Sequence, residues 1–107
     1  MTAEGGRQSA SRRSSTQGDS TWFLYLIECR DGSIYTGIAV DVAARFAAHL
    51  SGKGARYTRA HPPARIIATV AYPDRSSASK AEYRIKQLKP AEKRRFAEEL
   101  AERKASF

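Results

Sequence analysis

A short apolar run followed by a turn signal is the feature that most constrains how this chain folds. Residues Trp22 to Ile27 read Trp-Phe-Leu-Tyr-Leu-Ile, an aromatic-rich stretch short enough to be a buried β-strand. Asp31-Gly32 then supplies a tight turn, and residues 33–38 return with β-branched side chains. The pattern predicts two antiparallel neighbouring strands.

A helix is predicted directly after this hairpin. Asp41 is a good N-cap, and apolar residues repeat with helical spacing until Ser51-Gly52. The predicted apolar stripe consists of Val42, Ala43, Phe46, Ala47 and Leu50. The segment from Lys53 to Arg59 has the composition of a basic loop, and Ala64 to Tyr72 is β-branched enough for a third strand.

Two more helices are predicted near the C-terminus. Ser76 or Ser77 is the expected cap of the first, which runs to about Lys89, and Pro90 suits the first position of the second. Their predicted buried residues are Ala78, Ala81, Ile85 and Leu88, then Phe96, Ala97 and Leu100. Strands followed by helices on this scale predict a single domain of the α+β class.

The N-terminal segment differs in composition from the rest of the chain. Residues 1–20 contain no Val, Ile, Leu, Phe, Trp or Tyr, so they can bury almost nothing against the entropy lost on ordering. We therefore predict a disordered tail over residues 1–20 and one domain over residues 21–107.

The charge balance limits the class of partner. The formal net charge is +8 and the pI about 10.1, which favours a polyanion, either nucleic acid or an anionic membrane surface. Cys29 is the single cysteine and cannot form an internal disulfide, and with two histidines it provides no zinc cluster. No apolar run approaches the roughly 20 residues that span a bilayer, so we expect a cytoplasmic protein without a membrane partner.

Five residues occur in an order that suits phosphoryl transfer: Tyr25, Tyr35, Arg45, His49 and Glu82. Hydrolysis of a phosphodiester needs an oriented water, a positive group for the growing charge, and a cation for the departing oxygen. Each residue taken alone also has a structural explanation. The tyrosines suit cross-strand packing, Arg45 and His49 an exposed helix face, and Glu82 an ion pair with Lys86.

The joint order of these residues resembles the GIY-YIG nuclease superfamily. The two tripeptides that name it correspond to Phe23-Leu24-Tyr25 and Tyr35-Thr36-Gly37. The resemblance extends from Trp22 to Phe96 and is closest to the small stand-alone bacterial branch, with similarity to the N-terminal nuclease domain of excision-repair endonuclease. Its recognisable stretches are residues 31–38, 51–58 and 81–86.

This resemblance implies a three-stranded antiparallel sheet flanked by helices and a divalent-metal-dependent endonuclease that hydrolyses DNA, with a role in DNA repair or processing. It implies that Tyr25 and Tyr35 orient or activate water and that Arg45 stabilises the charge on phosphorus. His49 would assist, and Glu82 would be a ligand of one Mg²⁺ or Mn²⁺ ion. A single carboxylate suits a hard ion that keeps most of its waters.

Further residues are candidates for contact with nucleic acid, DNA being the favoured form. The basic segment around an aromatic suits backbone contacts and stacking by a base or sugar. Gly37 permits close approach, either by a neighbouring strand or by a ligand phosphate. The full set of candidates is Gly37, Lys53, Arg56, Tyr57, Arg59 and Lys86.

Two departures from the superfamily keep other functions open. Ile38 stands where several of its nucleases have a lysine, and around Arg94, where repair enzymes often have an asparagine, this sequence has Lys93, Arg94 and Arg95. A non-catalytic nucleic-acid-binding module on the same scaffold is therefore an alternative. A subunit whose last helix docks on a protein partner through Phe96 and Leu100 is a third, for which the sequence offers little support.

Overall fold

The computed structural model of the protein describes residues 21–105, with side chains for residues 21–103. The predicted disordered tail, residues 1–20, lies outside the described residues. The elements in chain order are β1 (Trp22–Cys29), β2 (Ile34–Ala39), α1 (Val42–Leu50), α2 (Arg56–Ala60), β3 (Pro63–Tyr72), α3 (Arg75–Lys86) and α4 (Pro90–Ala105).

The three strands form one antiparallel sheet in the order β2-β1-β3. β1 is the central strand, and it pairs with β2 in a register that sets Tyr25 opposite Gly37 and Leu26 opposite Thr36. At the hairpin turn, Gly32 has a φ of 89°, and the Asp31 carboxylate accepts hydrogen bonds from Ser33. The predicted α+β class with a three-stranded antiparallel sheet is confirmed.

The two faces of the sheet are covered by different helices. Leu24 and Leu26 belong to an aliphatic cluster with residues of α3 and α4, including Ala81 and Ala97. Alternate β1 residues point the other way, because successive side chains of a strand lie on opposite faces. Tyr25, Ile27 and Cys29 therefore form a second cluster, packed against Val42 and Phe46 of α1.

A partly buried ion pair attaches α4 to the hairpin of β1 and β2. Nη1 of Arg94 donates to Oε2 of Glu28 at 2.5 Å, and Nη2 of Arg94 donates to the Gly32 carbonyl. Arg65 contacts the other Glu28 oxygen at 2.8 Å. The two arginines lower the pKa of Glu28, Arg94 most strongly. Arg94 thus holds the last helix against the turn.

The predicted apolar stripe of α1 was wrong in part. Asp41 caps α1 as predicted, and its Oδ1 accepts from the Ala44 backbone N–H at 3.0 Å. The inward positions, however, are Val42, Phe46 and His49, whereas Leu50 is 54% exposed. His49 therefore shares the buried face of α1, because positions 42, 46 and 49 lie along one side of a helix.

Two other local predictions require correction. The segment predicted as a basic loop contains α2, whose Thr58 hydroxyl donates to the Ala55 carbonyl at 2.9 Å and supports the first turn. The N-cap of α3 is Asp74 rather than a serine: its Oδ1 accepts from the Ser77 N–H at 2.8 Å. α3 ends at Lys86, three residues before the predicted end.

Within residues 21–105, no helix combines the length and the apolar character that crossing a membrane requires.

Candidate active site

The two strand tyrosines lie side by side on the α1 face of the sheet. Their ring centroids are 6.2 Å apart, Tyr25 is 1% exposed, and Tyr35 is only partly buried. A Cβ atom at Gly37 would lie 2.5 Å from the Tyr25 hydroxyl oxygen. The packing therefore accounts for Gly37 through the close approach of Tyr25 from the neighbouring strand.

His49 connects Tyr25 to α2. Nε2 of His49 lies 3.0 Å from the Tyr25 hydroxyl, and Nδ1 lies 2.7 Å from Oγ1 of Thr58. His49 is 1% exposed and Thr58 is 2% exposed, so both groups are shielded from solvent. Burial lowers the pKa of His49, and the nearby Arg45 charge lowers it further. Both effects favour the neutral imidazole, which is hydrogen-bonded at both nitrogens.

Arg45 is exposed on α1, one turn before His49, and its charge reaches both phenols. Burial raises the pKa of Tyr25 most, the proximity of Tyr35 raises it further, and the Arg45 guanidinium opposes both effects. Burial also raises the pKa of Tyr35, again opposed by Arg45. The two phenols are also close enough for each to affect the pKa of the other. Four of the predicted residues are therefore brought together.

Glu82 lies on α3, a helix that covers the opposite face of the sheet. α3 covers the aliphatic face and packs against β2, which is an edge strand, so a side chain of α3 can reach around that edge. The Glu82 carboxylate is close enough to raise the pKa of Tyr35. Its Oε2 also lies 3.2 Å from Nζ of Lys86, the pair expected from their i,i+4 spacing.

Tyr57 belongs to an aromatic column beside the site. Its ring stacks with Tyr35 at a centroid distance of 5.8 Å and with His61 at 4.2 Å. His61 in turn contacts Asp31 at 2.5 Å, which connects the column to the hairpin turn. Tyr57 is 37% exposed but already makes two ring contacts, so it is a wall of the site as much as a stacking surface.

The remaining predicted contacts occupy the rim. Lys53 lies in the turn after α1, while Arg56 and Arg59 lie on α2, and all three are exposed. Lys86 is also exposed, at the end of α3 beside Glu82. Ile38, the departure from the lysine of several superfamily nucleases, packs against the aliphatic cluster on the other face of the sheet.

Sequence reasoning missed Gly54, Thr58 and the pair of Asp31 with His61 as parts of the site. A Cβ atom at Gly54 would overlap the His49 imidazole, so only glycine allows the chain to pass there. Gly54 and Thr58 lie in the 51–58 stretch on which the resemblance rested, and that was their one available signal. Their partner, His49, became evident only from the fold.

A model of the GIY-YIG catalytic domain matches residues 21–95. This chain belongs to the GIY-YIG family. The match covers every element from β1 to the first part of α4, including both tyrosines, Arg45, His49 and Glu82. GIY-YIG domains form a nuclease superfamily, whose substrates are nucleic acids and whose members are generally dependent on divalent metal ions.

Relatives and solved structures agree with this assignment. A UPF0213 protein of Cupriavidus necator is 54% identical over 82 residues, which cover 77% of this chain and 89% of the relative. A UPF0213 protein of Xanthomonas axonopodis pv. citri is 57% identical over 72 residues, covering 67% and 71%. The solution structure of a protein from E. faecalis is 33% identical, has a TM-score of 0.54 and covers 76% of this chain and 86% of that chain. UPF0213 is a small stand-alone GIY-YIG family.

The donor set of the GIY-YIG domain fits a loosely held divalent cation. Among the described residues, no three His, Cys, Asp or Glu side chains form a metal-binding group. Glu82 is the one predicted carboxylate that approaches the phenols. One carboxylate is compatible with a hard divalent ion that keeps most of its waters. Glu82 is thus the residue that would hold the ion.

Proposed function

We propose that this protein is a divalent-metal-dependent endonuclease that hydrolyses phosphodiester bonds of DNA, with a role in DNA repair or processing. The observation that supports the proposal is the cluster of Tyr35, Tyr25 and His49, in which Tyr25 is hydrogen-bonded to His49. Arg45 affects the pKa of both phenols, and Glu82 affects the pKa of Tyr35. A purely structural cluster would have little reason to hold two phenols, an imidazole and a guanidinium together.

Each side chain has a role in this proposal. Tyr35 is the less buried phenol and faces the attacking water, while Tyr25 passes a proton on to His49. Arg45 stabilises the negative charge that grows on the phosphoryl oxygens. A divalent ion bound at Glu82 would supply charge neutralisation for the phosphate and the departing oxygen.

The proton balance of the hydrolysis is as follows. Water gives one proton to Tyr35 and its oxygen bonds to phosphorus, while the Tyr35 proton moves to Tyr25 and the Tyr25 proton to Nε2 of His49. The bond between phosphorus and the leaving sugar oxygen breaks, and that oxygen takes a proton from solvent. The imidazolium then releases its proton, which burial and the Arg45 charge favour.

The rim residues support binding of the substrate backbone. Lys53, Arg56, Arg59 and Lys86 are exposed cations around the site, and the whole chain has a net charge of +8. Such contacts position the phosphates without reading the sequence of the bases.

The test is cleavage of supercoiled plasmid with Mg²⁺ or Mn²⁺ and with EDTA. Arg45→Ala and Glu82→Gln are expected to lower the rate by about 10²-fold or more, since each removes a charge that acts on the reacting phosphate. Arg95→Ala and Glu99→Gln, at exposed positions of α4, are the matched controls and should cleave normally. Cleavage that survives both site substitutions would contradict the proposal.

A non-catalytic binding module is the second candidate, and the ion pair between Glu82 and Lys86 favours it because it engages the proposed metal ligand. This alternative predicts DNA binding whose affinity falls steeply with salt, with no cleavage in any divalent ion. Duplex, branched and single-stranded DNA and RNA, each tested for binding and cleavage, separate the two functions and identify the preferred substrate.

A further inference from the structure

Nδ1 of His49 has two hydrogen-bonding neighbours, and each can favour a different protonation state. Oγ1 of Thr58 lies at 2.7 Å and can accept a hydrogen bond, whereas the backbone N–H of Ala55 lies at 3.4 Å and can only donate. A single ring nitrogen cannot donate to the first and accept from the second. The protonation of Nδ1 therefore depends on which neighbour prevails.

The geometry favours Thr58 over Ala55. The Thr58 hydroxyl has one hydrogen, which it can donate to the Ala55 carbonyl, 2.9 Å away. An oxygen that has donated its hydrogen elsewhere can only accept at its 2.7 Å contact with the imidazole. The Ala55 N–H contact is longer by 0.7 Å, the difference of 3.4 and 2.7 Å, and near the limit for a hydrogen bond.

We propose that Thr58 is a positioning residue that fixes His49 in the tautomer protonated on Nδ1. Nε2 then carries the lone pair and accepts the Tyr25 hydroxyl hydrogen at 3.0 Å. Water cannot easily replace Thr58 in this role, because Thr58 and His49 are 2% and 1% exposed. The tautomer itself follows from the contacts, and its use in catalysis rests on the proposed function.

Loss of the Thr58 oxygen reverses the direction of the chain of hydrogen bonds. Nδ1 would then have only the Ala55 N–H as a partner and would act as an acceptor. The single imidazole proton would move to Nε2, which would donate to Tyr25 instead of accepting from it. A proton from Tyr25 then has no acceptor, so the relay is blocked although every ring keeps its place.

Gly54 makes the arrangement sterically possible. The chain between α1 and α2 passes so close to the imidazole that a Cβ at this position would overlap Nδ1. The absence of a side chain at Gly54 lets Ala55 and Thr58 reach the same nitrogen. The segment from α1 to α2 therefore holds one edge of the imidazole and leaves the other for Tyr25.

The experiment measures the tautomer directly, by ¹⁵N NMR of the imidazole nitrogens in the full chain without DNA. Wild-type His49 is expected to carry its proton on Nδ1, Thr58→Val to carry it on Nε2, and Thr58→Ser to restore Nδ1 protonation. Valine matches threonine in shape, so the change isolates the hydroxyl. His61, the other histidine of the chain, is the internal reference and should not change. Wild-type protonation on Nε2, or an unchanged tautomer in Thr58→Val, would overturn the proposal.

Cleavage rates add a second readout. Thr58→Val is expected to slow cleavage by about 10²-fold or more, the usual contribution of a positioned acid or base, and Thr58→Ser to stay within about threefold of wild type. Equal losses in both variants would contradict a role through the hydroxyl. If wild type carries the predicted tautomer, valine inverts it and no variant cleaves DNA, then the proposed function fails while the tautomer assignment stands.

Discussion

The two faces of the sheet differ in the interactions that hold them, although β1 contributes to both. On the α3 and α4 face, Leu24 and Leu26 are completely buried among aliphatic side chains. On the α1 face, Tyr25 is almost as deeply buried, but its polar atom has a specific partner, His49. The first face is held by apolar packing, and the second adds directed hydrogen bonds to an apolar cluster of its own.

This difference indicates a division of labour between stability and chemistry. Burial of aliphatic groups is non-directional, so that face can supply folding free energy without positioning any particular atom. Hydrogen bonds in a buried network contribute less net stability but determine where each donor and acceptor points. Glu82, the proposed metal ligand, and Lys86, a proposed backbone contact, both come from α3, a helix of the stabilising face.

The largest stability effect should come from truncation on the aliphatic face. Leu26→Ala is expected to lower the free energy of unfolding by about 2–5 kcal/mol, because it leaves a cavity in a closely packed cluster. Urea denaturation measures the loss. Cleavage per folded molecule should change little. Tyr25→Phe should instead slow cleavage strongly and change the free energy of unfolding less. If both variants lose activity and stability in the same proportion, the two faces are not separate in role.

A smaller effect is expected where α1 meets α2. Gly54→Ala should destabilise the fold by about 1–3 kcal/mol and slow cleavage, because the added methyl group displaces the His49 imidazole. Gly52→Ala is the matched control: it strains a φ of 82° but meets no atom within 4 Å. Circular dichroism melts and plasmid cleavage compare the two. Equal cleavage rates would show that the imidazole tolerates the shift.

Threonine-to-valine substitutions on the aliphatic face and beside the α1 face should change the free energy of unfolding in opposite directions. Thr36 lies in the aliphatic face, 2% exposed, and its Oγ1 is without a hydrogen-bond partner among the described residues. Thr36→Val should raise the free energy of unfolding by about 1 kcal/mol, since it removes a desolvated hydroxyl. Thr58→Val should lower it by a similar amount, because that hydroxyl makes two contacts. Chemical denaturation of both variants tests the contrast, and equal signs would refute it.

The smallest expected effect is a pH dependence of stability that originates on the α1 face. The pKa of His49 is lowered from 6.5 in the folded protein, first by burial and then by Arg45. Between the folded and unfolded pKa values the unfolded chain binds more protons, so stability falls as the pH drops below about 6.5. Urea midpoints at several pH values measure this, with His49→Gln as the control that lacks the titrating group. Identical slopes for both proteins would contradict it.

Much of the fold was predictable because its signals are local. The apolar run of β1, the turn at Asp31-Gly32, the Asp41 cap and Pro90 at the start of α4 each act on residues within a few positions. The prediction of the α1 stripe was wrong in part because it selected residues by hydrophobicity alone. His49 occupies a buried helix position through hydrogen bonds, which a search for apolar residues does not detect.

The sequence by itself determined the α+β class, the hairpin and, through the order of its motifs, membership of a nuclease superfamily. Only the tertiary structure decided that Thr58 and Gly54 adjoin His49, that Ile38 faces away from the phenols, and that the Glu82 charge acts on Tyr35. The physical reason is the separation along the chain over which each interaction acts. Periodicity and capping depend on neighbours along the chain, whereas these contacts join residues whose proximity exists only after the helices pack on the sheet.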